Sequence, residues 1–187
     1  MLDMKRWILL AATATALFAA PKFTLTDTNG ATHTEKEWWK ASGVVLYFIT
    51  TDCPVSNGYV PEMNRIAKDY ESRGVRFYGV IADTSTPLAD VQKHAREFGY
   101  TFPILIDAHQ TLVKYTNADV TPEAAALTSQ GDLKYLGRID NQVESFGKHR
   151  PYATQHELRD ALDAVLAGKQ PANASAPPVG CTINRVK

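Results

Sequence analysis

The fold is decided by the stretch Val44-Val45-Leu46-Tyr47-Phe48-Ile49-Thr50-Thr51-Asp52-Cys53-Pro54, in which six apolar residues run into a polar loop that contains a cysteine. A continuous β-prone run of this length is typical of a strand buried on both faces. Beyond the loop, apolar residues recur at the spacing of a helix: Val60, Met63, Ile66, Ala67 and Tyr70. Cys53 therefore stands where a buried strand ends and a helix begins.

The same alternation of strands and helices continues on both sides of this stretch. Upstream, a short strand at 23–25 precedes the turn residues Asn29-Gly30, and a capping box at Thr34 predicts a short helix with Trp38 and Trp39. Downstream we predict a strand at 75–81, a helix from Pro87, a strand at 102–106, a short helix near 112–115, a hairpin of 124–127 with 133–139, and a helix from a capping box at Thr154 to Gly168. This order predicts an α/β fold of the thioredoxin-like type, with a mixed central sheet flanked by helices on both faces.

The two ends of the chain differ from its middle. Lys5 and Arg6 precede a short apolar run that ends in small residues, which predicts a cleaved signal peptide at 1–20 and no stable membrane insertion after its removal. The thioredoxin-like domain then covers 21–168. The last segment, 169–187, is rich in Pro, Ala and Asn and is predicted to be a flexible tail that carries Cys181. We therefore expect an exported protein, periplasmic or secreted, from a bacterium.

Charge and cysteine content exclude two classes of function. The chain has 20 basic and 20 acidic side chains and no net charge, so we expect no nucleic-acid partner. Its two cysteines, Cys53 and Cys181, cannot form a zinc site alone, and no histidine stands at ligand spacing from either. All five histidines are predicted to be surface residues. We expect no bound metal and no bound cofactor.

Cys53 is the candidate nucleophile. At a helix N-terminus a thiol meets unpaired backbone N–H groups and the positive end of the helix dipole, and both favour the thiolate. The alternative is an inert buried cysteine that packs as a small apolar residue. The polar neighbours of Cys53, from Thr50 to Asn57, favour an exposed and reactive thiol.

Several short motifs, in their shared order, resemble the redoxin superfamily, which includes alkyl hydroperoxide reductases and thiol-specific antioxidant proteins. The resemblance is to its peroxiredoxin-like branch and spans roughly residues 23–183. It rests on Thr50-Thr51-Asp52-Cys53-Pro54, Thr121-Pro122, Gly131-Asp132, Gly137-Arg138-Ile139-Asp140, the run 161–169 and Gly180-Cys181-Thr182-Ile183.

The resemblance implies a role for each motif residue at the cysteine loop. Peroxiredoxins use Thr/Ser-x-x-Cys, so Thr50 would orient a peroxide against Cys53. Thioredoxins use Cys-x-x-Cys, and Ser56 stands where their second cysteine would be, so disulfide exchange within this loop alone is excluded. Leu46 replaces a proline usual in peroxiredoxins, and no arginine stands beside Thr121.

Three further positions complete the predicted site. Thr121-Pro122 resembles the cis-proline loop that faces the active cysteine in thioredoxin folds, where it would align an extended substrate. Arg138 would replace the missing arginine, with Arg150 as a second candidate and a solvated surface residue as the alternative for each. Cys181 would resolve an oxidised Cys53, within one chain or between two; a permanent disulfide or a passive thiol are the alternatives.

Two hypotheses follow. The first is an exported thiol oxidoreductase of peroxiredoxin-like, antioxidant type, in which Cys53 attacks a peroxide or a protein disulfide and an external thiol reductant restores the enzyme. The second is a non-catalytic thioredoxin-fold module that binds a partner protein or a soft metal.

Overall fold

The computed structural model describes residues 20–83 and 85–186. The predicted signal peptide at 1–20 lies outside these residues except for Ala20. Among the described residues, no helix combines the length and the apolar character needed to cross a membrane.

The described chain alternates strands and helices in the predicted order. One short helix is of the 3-10 type and spans Glu35–Lys40. The strands are β1 (Thr24–Thr26), β2 (Thr32–Thr34), β3 (Gly43–Ile49), β4 (Val75–Ile81), β5 (Ile104–Ile106), β6 (Val120–Thr121), β7 (Glu123–Leu127), β8 (Leu133–Gly137), β9 (Val143–Ser145), β10 (Lys148–His149), β11 (Ser175–Ala176) and β12 (Cys181–Thr182). The α-helices are α1 (Pro54–Glu71), α2 (Leu88–Phe98), α3 (Thr111–Thr116) and α4 (Glu157–Leu166).

The central sheet is mixed, as predicted. Its strand order is β11-β8-β7-β3-β4-β5, and β3 pairs in parallel with β4 and antiparallel with β7. All seven residues of β3 are buried, because helices cover both faces of the sheet at this position. The carboxyl end of β3 and the start of β7 consequently lie side by side, with Phe48 opposite Glu123. This pairing brings Cys53 and the Thr121-Pro122 loop to the same edge.

Alternation along β3 sends successive side chains into two cores. Val45, Tyr47 and Ile49 join the core beneath α1, α2 and α4. Val44, Leu46 and Phe48 join the second core, which contains Trp38 of the 3-10 helix and two residues of α3. The predicted layering, with helices on both faces, is confirmed.

Local helix signals were less accurate than the strand pattern. Neither predicted capping box forms: Thr34 makes no capping hydrogen bond, and the Thr154 hydroxyl accepts a hydrogen bond from Asn141 Nδ2 at 2.9 Å. The helix that begins after Thr34 is a 3-10 helix, and α4 begins only at Glu157. Capping boxes stabilise helix ends by about 1 kcal/mol, so tertiary contacts readily override them.

The C-terminal segment does not form the flexible tail that its composition predicts. β11 pairs in parallel with β8, and β12 pairs antiparallel with β6. Ile183 is buried in the second core. β11 and β12 have only two residues each, which is too short for an alternating apolar pattern to predict a strand. A composition rich in Pro, Ala and Asn indicates only a weak preference for irregular structure.

Candidate active site

Cys53 is held at the junction of β3 and α1. It is the N-cap residue of α1, with Pro54 in the first helical turn, and its carbonyl accepts a hydrogen bond from Asn57 N at 3.0 Å. The predicted position is confirmed, but the predicted exposure is wrong, because Cys53 is 0% exposed. Thr50, Thr51 and Asp52 are at least partly exposed, whereas Cys53 and Ser56 are both buried.

The Thr121-Pro122 loop faces Cys53 directly. The peptide bond between Thr121 and Pro122 is cis, as predicted. The Cys53 thiol donates a hydrogen bond to the Thr121 carbonyl, with 3.1 Å between Sγ and O. The backbone of the residue before the cis-proline is thus turned toward the thiol.

Cys181 lies at the same place, although the two cysteines are far apart in sequence. In the β12–β6 pairing Cys181 stands opposite Thr121. Both cysteines are free thiols in this structure. Burial raises the pKa of Cys181 to about 11, together with hydrogen bonding and charge interaction with Cys53 and the charge of Asp52. The two thiols are therefore neighbours.

Thr50 lies beside this thiol pair, but its hydroxyl is already engaged. It donates a hydrogen bond to the carboxylate of Asp52. Both residues line a cleft of about 100 Å³ that also contains Cys181 and Thr121. Cys53 is not among the cleft-lining residues, so Cys181 is the thiol of this pair that lines the cleft.

The two candidate arginines are bound to other side chains and not to the thiols. Arg138 bonds through Nε to Glu157 at 3.0 Å and through its terminal nitrogen to Gln155 at 2.8 Å. Arg150 pairs with Glu144 at 2.9 Å. Neither lines the cleft. The structure therefore brings together Cys53, Thr50, Thr121, Pro122 and Cys181, but not Arg138.

Two polar residues that the sequence analysis did not single out hold the segments around the site. Glu123 is buried, and its carboxylate accepts hydrogen bonds from the N–H groups of Asp119 at 2.9 Å and Val120 at 3.5 Å. Gln110 is 0% exposed and bonds to the C-terminal segment, donating to the carbonyl of Asn184 at 2.6 Å. The sequence does offer a signal for the role of Glu123, because a charged residue stands directly after Pro122 at the start of an otherwise apolar strand.

Two histidines depart from the surface position predicted for all five. The side chain of His33, in β2, is only 13% exposed. His94 is buried on α2, with Nε2 2.8 Å from Asn57 Oδ1, and burial lowers its pKa. Asn57 in turn donates to the Thr51 carbonyl at 3.0 Å. This chain of contacts ties α2 to the loop before Cys53. His94 stands three residues after the buried Val91, and this helical spacing was the sequence signal for its burial.

Comparisons with known proteins agree with this geometry. A family model described as AhpC/TSA matches residues 18–134, which is more than half of the chain and ends before Cys181. The thiol-disulfide oxidoreductase ResA of Geobacillus kaustophilus is 32% identical over 117 residues, which cover 63% of this chain and 66% of that relative, just under two thirds of its length.

Solved structures share the fold over different lengths of the chain. An uncharacterized conserved protein from Geobacillus kaustophilus superposes with a TM-score of 0.74 at 28% identity and covers 90% of both chains. The exposed lipoprotein thioredoxin of Streptococcus pneumoniae superposes with a TM-score of 0.55 at 22% identity, over 62% of this chain and 87% of its own, which shows the common fold. With its strand-end cysteine, its cis-proline loop and the matching family model, the chain belongs to the AhpC/TSA family within the thioredoxin-like fold.

Proposed function

We propose that this protein is a thiol oxidoreductase that cycles between a Cys53/Cys181 dithiol and a Cys53–Cys181 disulfide. The observation that carries the proposal is the position of both thiols at the Thr121-Pro122 loop. Cys53 is the attacking thiol because it stands at the N-terminus of α1 and contacts the cis-proline loop directly. Cys181, whose pKa is raised to about 11, is the resolving thiol.

The reaction with a disulfide substrate has two steps. The Cys53 thiolate attacks one sulfur, the substrate S–S bond breaks, and the first thiolate leaves with the bonding electrons. Cys181 then attacks Cys53 Sγ in the mixed disulfide and gives its proton to the second departing thiolate. The protein loses two electrons and two protons, and the substrate becomes two thiols. An external thiol reductant reverses the sequence.

A hydroperoxide is the second oxidant class that this thiol pair accommodates. Cys53 attacks the terminal oxygen, the O–O bond breaks to release an alcohol or water, and Cys53 becomes a sulfenic acid. Cys181 displaces that oxygen as water, and the same disulfide results. The Thr50 hydroxyl donates to Asp52, so disulfides are the oxidant class we favour.

We also propose that the protein is exported. The basic and then apolar N-terminal sequence supports a secretory signal, and a reversible disulfide is maintained most readily in an oxidising compartment. N-terminal sequencing of the mature protein from a cell fraction tests export. A mature chain that retains Met1 in the cytoplasm contradicts it.

Mass spectrometry of the intact and digested protein tests the redox cycle. The reduced protein receives one equivalent of oxidised glutathione or, separately, of hydrogen peroxide. We expect loss of two hydrogens and a crosslinked peptide pair that contains Cys53 and Cys181. Cys181→Ser should stop at a mixed disulfide or sulfenic acid on Cys53.

Cys53→Ser is the decisive control for this experiment. It should remove oxidant consumption, while Cys181 stays a free thiol. Unchanged consumption in Cys53→Ser, or only interchain disulfides in the unmodified protein, contradicts the intrachain cycle.

A further inference from the structure

The segment that carries Cys181 pairs with β6, the strand that leads into the cis-proline loop, in the way that a bound peptide pairs with a strand edge. Cys181 stands opposite Thr121 and Thr182 opposite Val120, in an antiparallel arrangement. The pairing continues where Ile183 N donates to the Asp119 carbonyl at 2.8 Å. Addition of an extended segment to an exposed strand edge is a common mode of peptide recognition.

Two side-chain positions give this pairing a sequence requirement. Gly180 lies against the loop so closely that an added Cβ would overlap the Thr121 carbonyl, 2.7 Å from its carbon and 3.1 Å from the nitrogen of Pro122. Ile183, two positions after Cys181, is buried and lines the cleft beside Val80. Thr182, between the two, is exposed and imposes no such requirement.

The docked segment also controls access to the nucleophile. Cys53 is 0% exposed while Cys181 is half-buried and lines the cleft. β12 occupies the edge of β6 at Val120 and Thr121, so a second extended polypeptide could pair with that edge only after β12 has left it.

We propose that residues 180–183 are an internal pseudosubstrate, and that the edge they occupy binds extended polypeptides with a glycine before the oxidised cysteine and a branched apolar residue two positions after it. The proposal rests on the proposed function, because it assigns the substrate class of the same Cys53. A polypeptide disulfide reacts only when the segment has left, and the Cys53–Cys181 disulfide then returns the segment to its place.

A thiol-exchange assay with a peptide of the chain's own sequence tests this. The peptide spans Pro177–Arg185, with its single cysteine joined to thionitrobenzoate as a mixed disulfide. Attack by Cys53 on the peptide sulfur forms a protein–peptide disulfide and releases coloured thionitrobenzoate. The protein is full-length Cys181→Ser, in which Cys53 is the single cysteine.

Gly180→Ala in this background should weaken docking of the segment and raise the rate of release about tenfold, which corresponds to about 1.4 kcal/mol. Gly58→Ala is the matched control, since an added Cβ there meets nothing within 4 Å. Its rate should equal that of Cys181→Ser alone. Peptides with alanine for Gly180 or aspartate for Ile183 should react about tenfold more slowly than the parent peptide.

The outcomes separate the two proposals. Equal rates for Gly180→Ala and its control, or equal rates for all three peptides, overturn the pseudosubstrate. A Cys53 that is inert to every peptide and also to the small reagent dithionitrobenzoate overturns the proposed function instead. Thermal unfolding verifies the fold of each variant. If Gly180→Ala does not fold, Ile183→Asp replaces it, because this change removes the buried contact of Ile183 that also holds the segment.

Discussion

The two thiols have different surroundings although they are neighbours. Cys53 donates a hydrogen bond to the Thr121 carbonyl at a helix N-terminus. Burial raises the pKa of Cys181, and the hydrogen bond and charge interaction with Cys53 and the charge of Asp52 raise it further. The raised pKa of Cys181 suits the resolving role, because the resolving thiol acts only after Cys53 has been oxidised.

The pH dependence of alkylation tests this division. The pKa of Cys181 is about 11, so its modification by iodoacetamide should rise about tenfold per pH unit from pH 8 and level off only near pH 11, whereas an ordinary thiol levels off above about 8.5. Peptide mapping of the reduced protein gives the rate. Asp52→Asn should move the Cys181 profile to lower pH. A Cys181 profile that levels off near that of a free thiol contradicts the assignment.

At the scale of elements, the cis-proline loop depends on a buried carboxylate. Glu123 begins β7, and its side chain turns back to accept hydrogen bonds from Asp119 N and Val120 N. It thereby fixes β6, the strand that presents Thr121 to Cys53 and pairs with β12. The site is thus supported from the strand that follows it.

Removal of this carboxylate should destabilise the protein. Glu123→Ala leaves two backbone N–H groups without their acceptor and should lower the free energy of unfolding by about 1–3 kcal/mol. Glu123→Gln keeps an acceptor oxygen and should cost less. Urea unfolding measures both. Equal losses in the two variants would show that the hydrogen bonds are not the cause.

Those elements that carry a strong local pattern were predictable from the sequence, and those made by distant contacts were not. The apolar run before Thr50 predicted β3 and the place of Cys53, and the Thr121-Pro122 pair predicted the cis bond. The burial of Cys53 and the docking of β12 arise from contacts between residues far apart in the chain. Such contacts leave no periodicity in either partner.

At the scale of the whole molecule, the C-terminal segment joins parts of the fold that are distant in sequence. β11 extends the central sheet beside β8, and β12 pairs with β6. Gln110 accepts a hydrogen bond from Val186 N at 3.0 Å and donates to Asn184 O, so the end of the segment is also held by the loop before α3. These non-covalent contacts hold the segment in this position while both thiols are free.

Oxidation should therefore stabilise a geometry that already exists. A disulfide between Cys53 and Cys181 closes most of the chain into one loop, and such crosslinks raise the free energy of unfolding by roughly 2–4 kcal/mol. For a protein of this size we expect the melting temperature of the oxidised form to exceed that of the reduced form by roughly 4–16 °C. Scanning calorimetry of both forms measures the difference. Cys181→Ser should melt at one temperature under oxidising and reducing conditions. An oxidised form that melts below the reduced form would mean that the bond forces the segment out of the position described here.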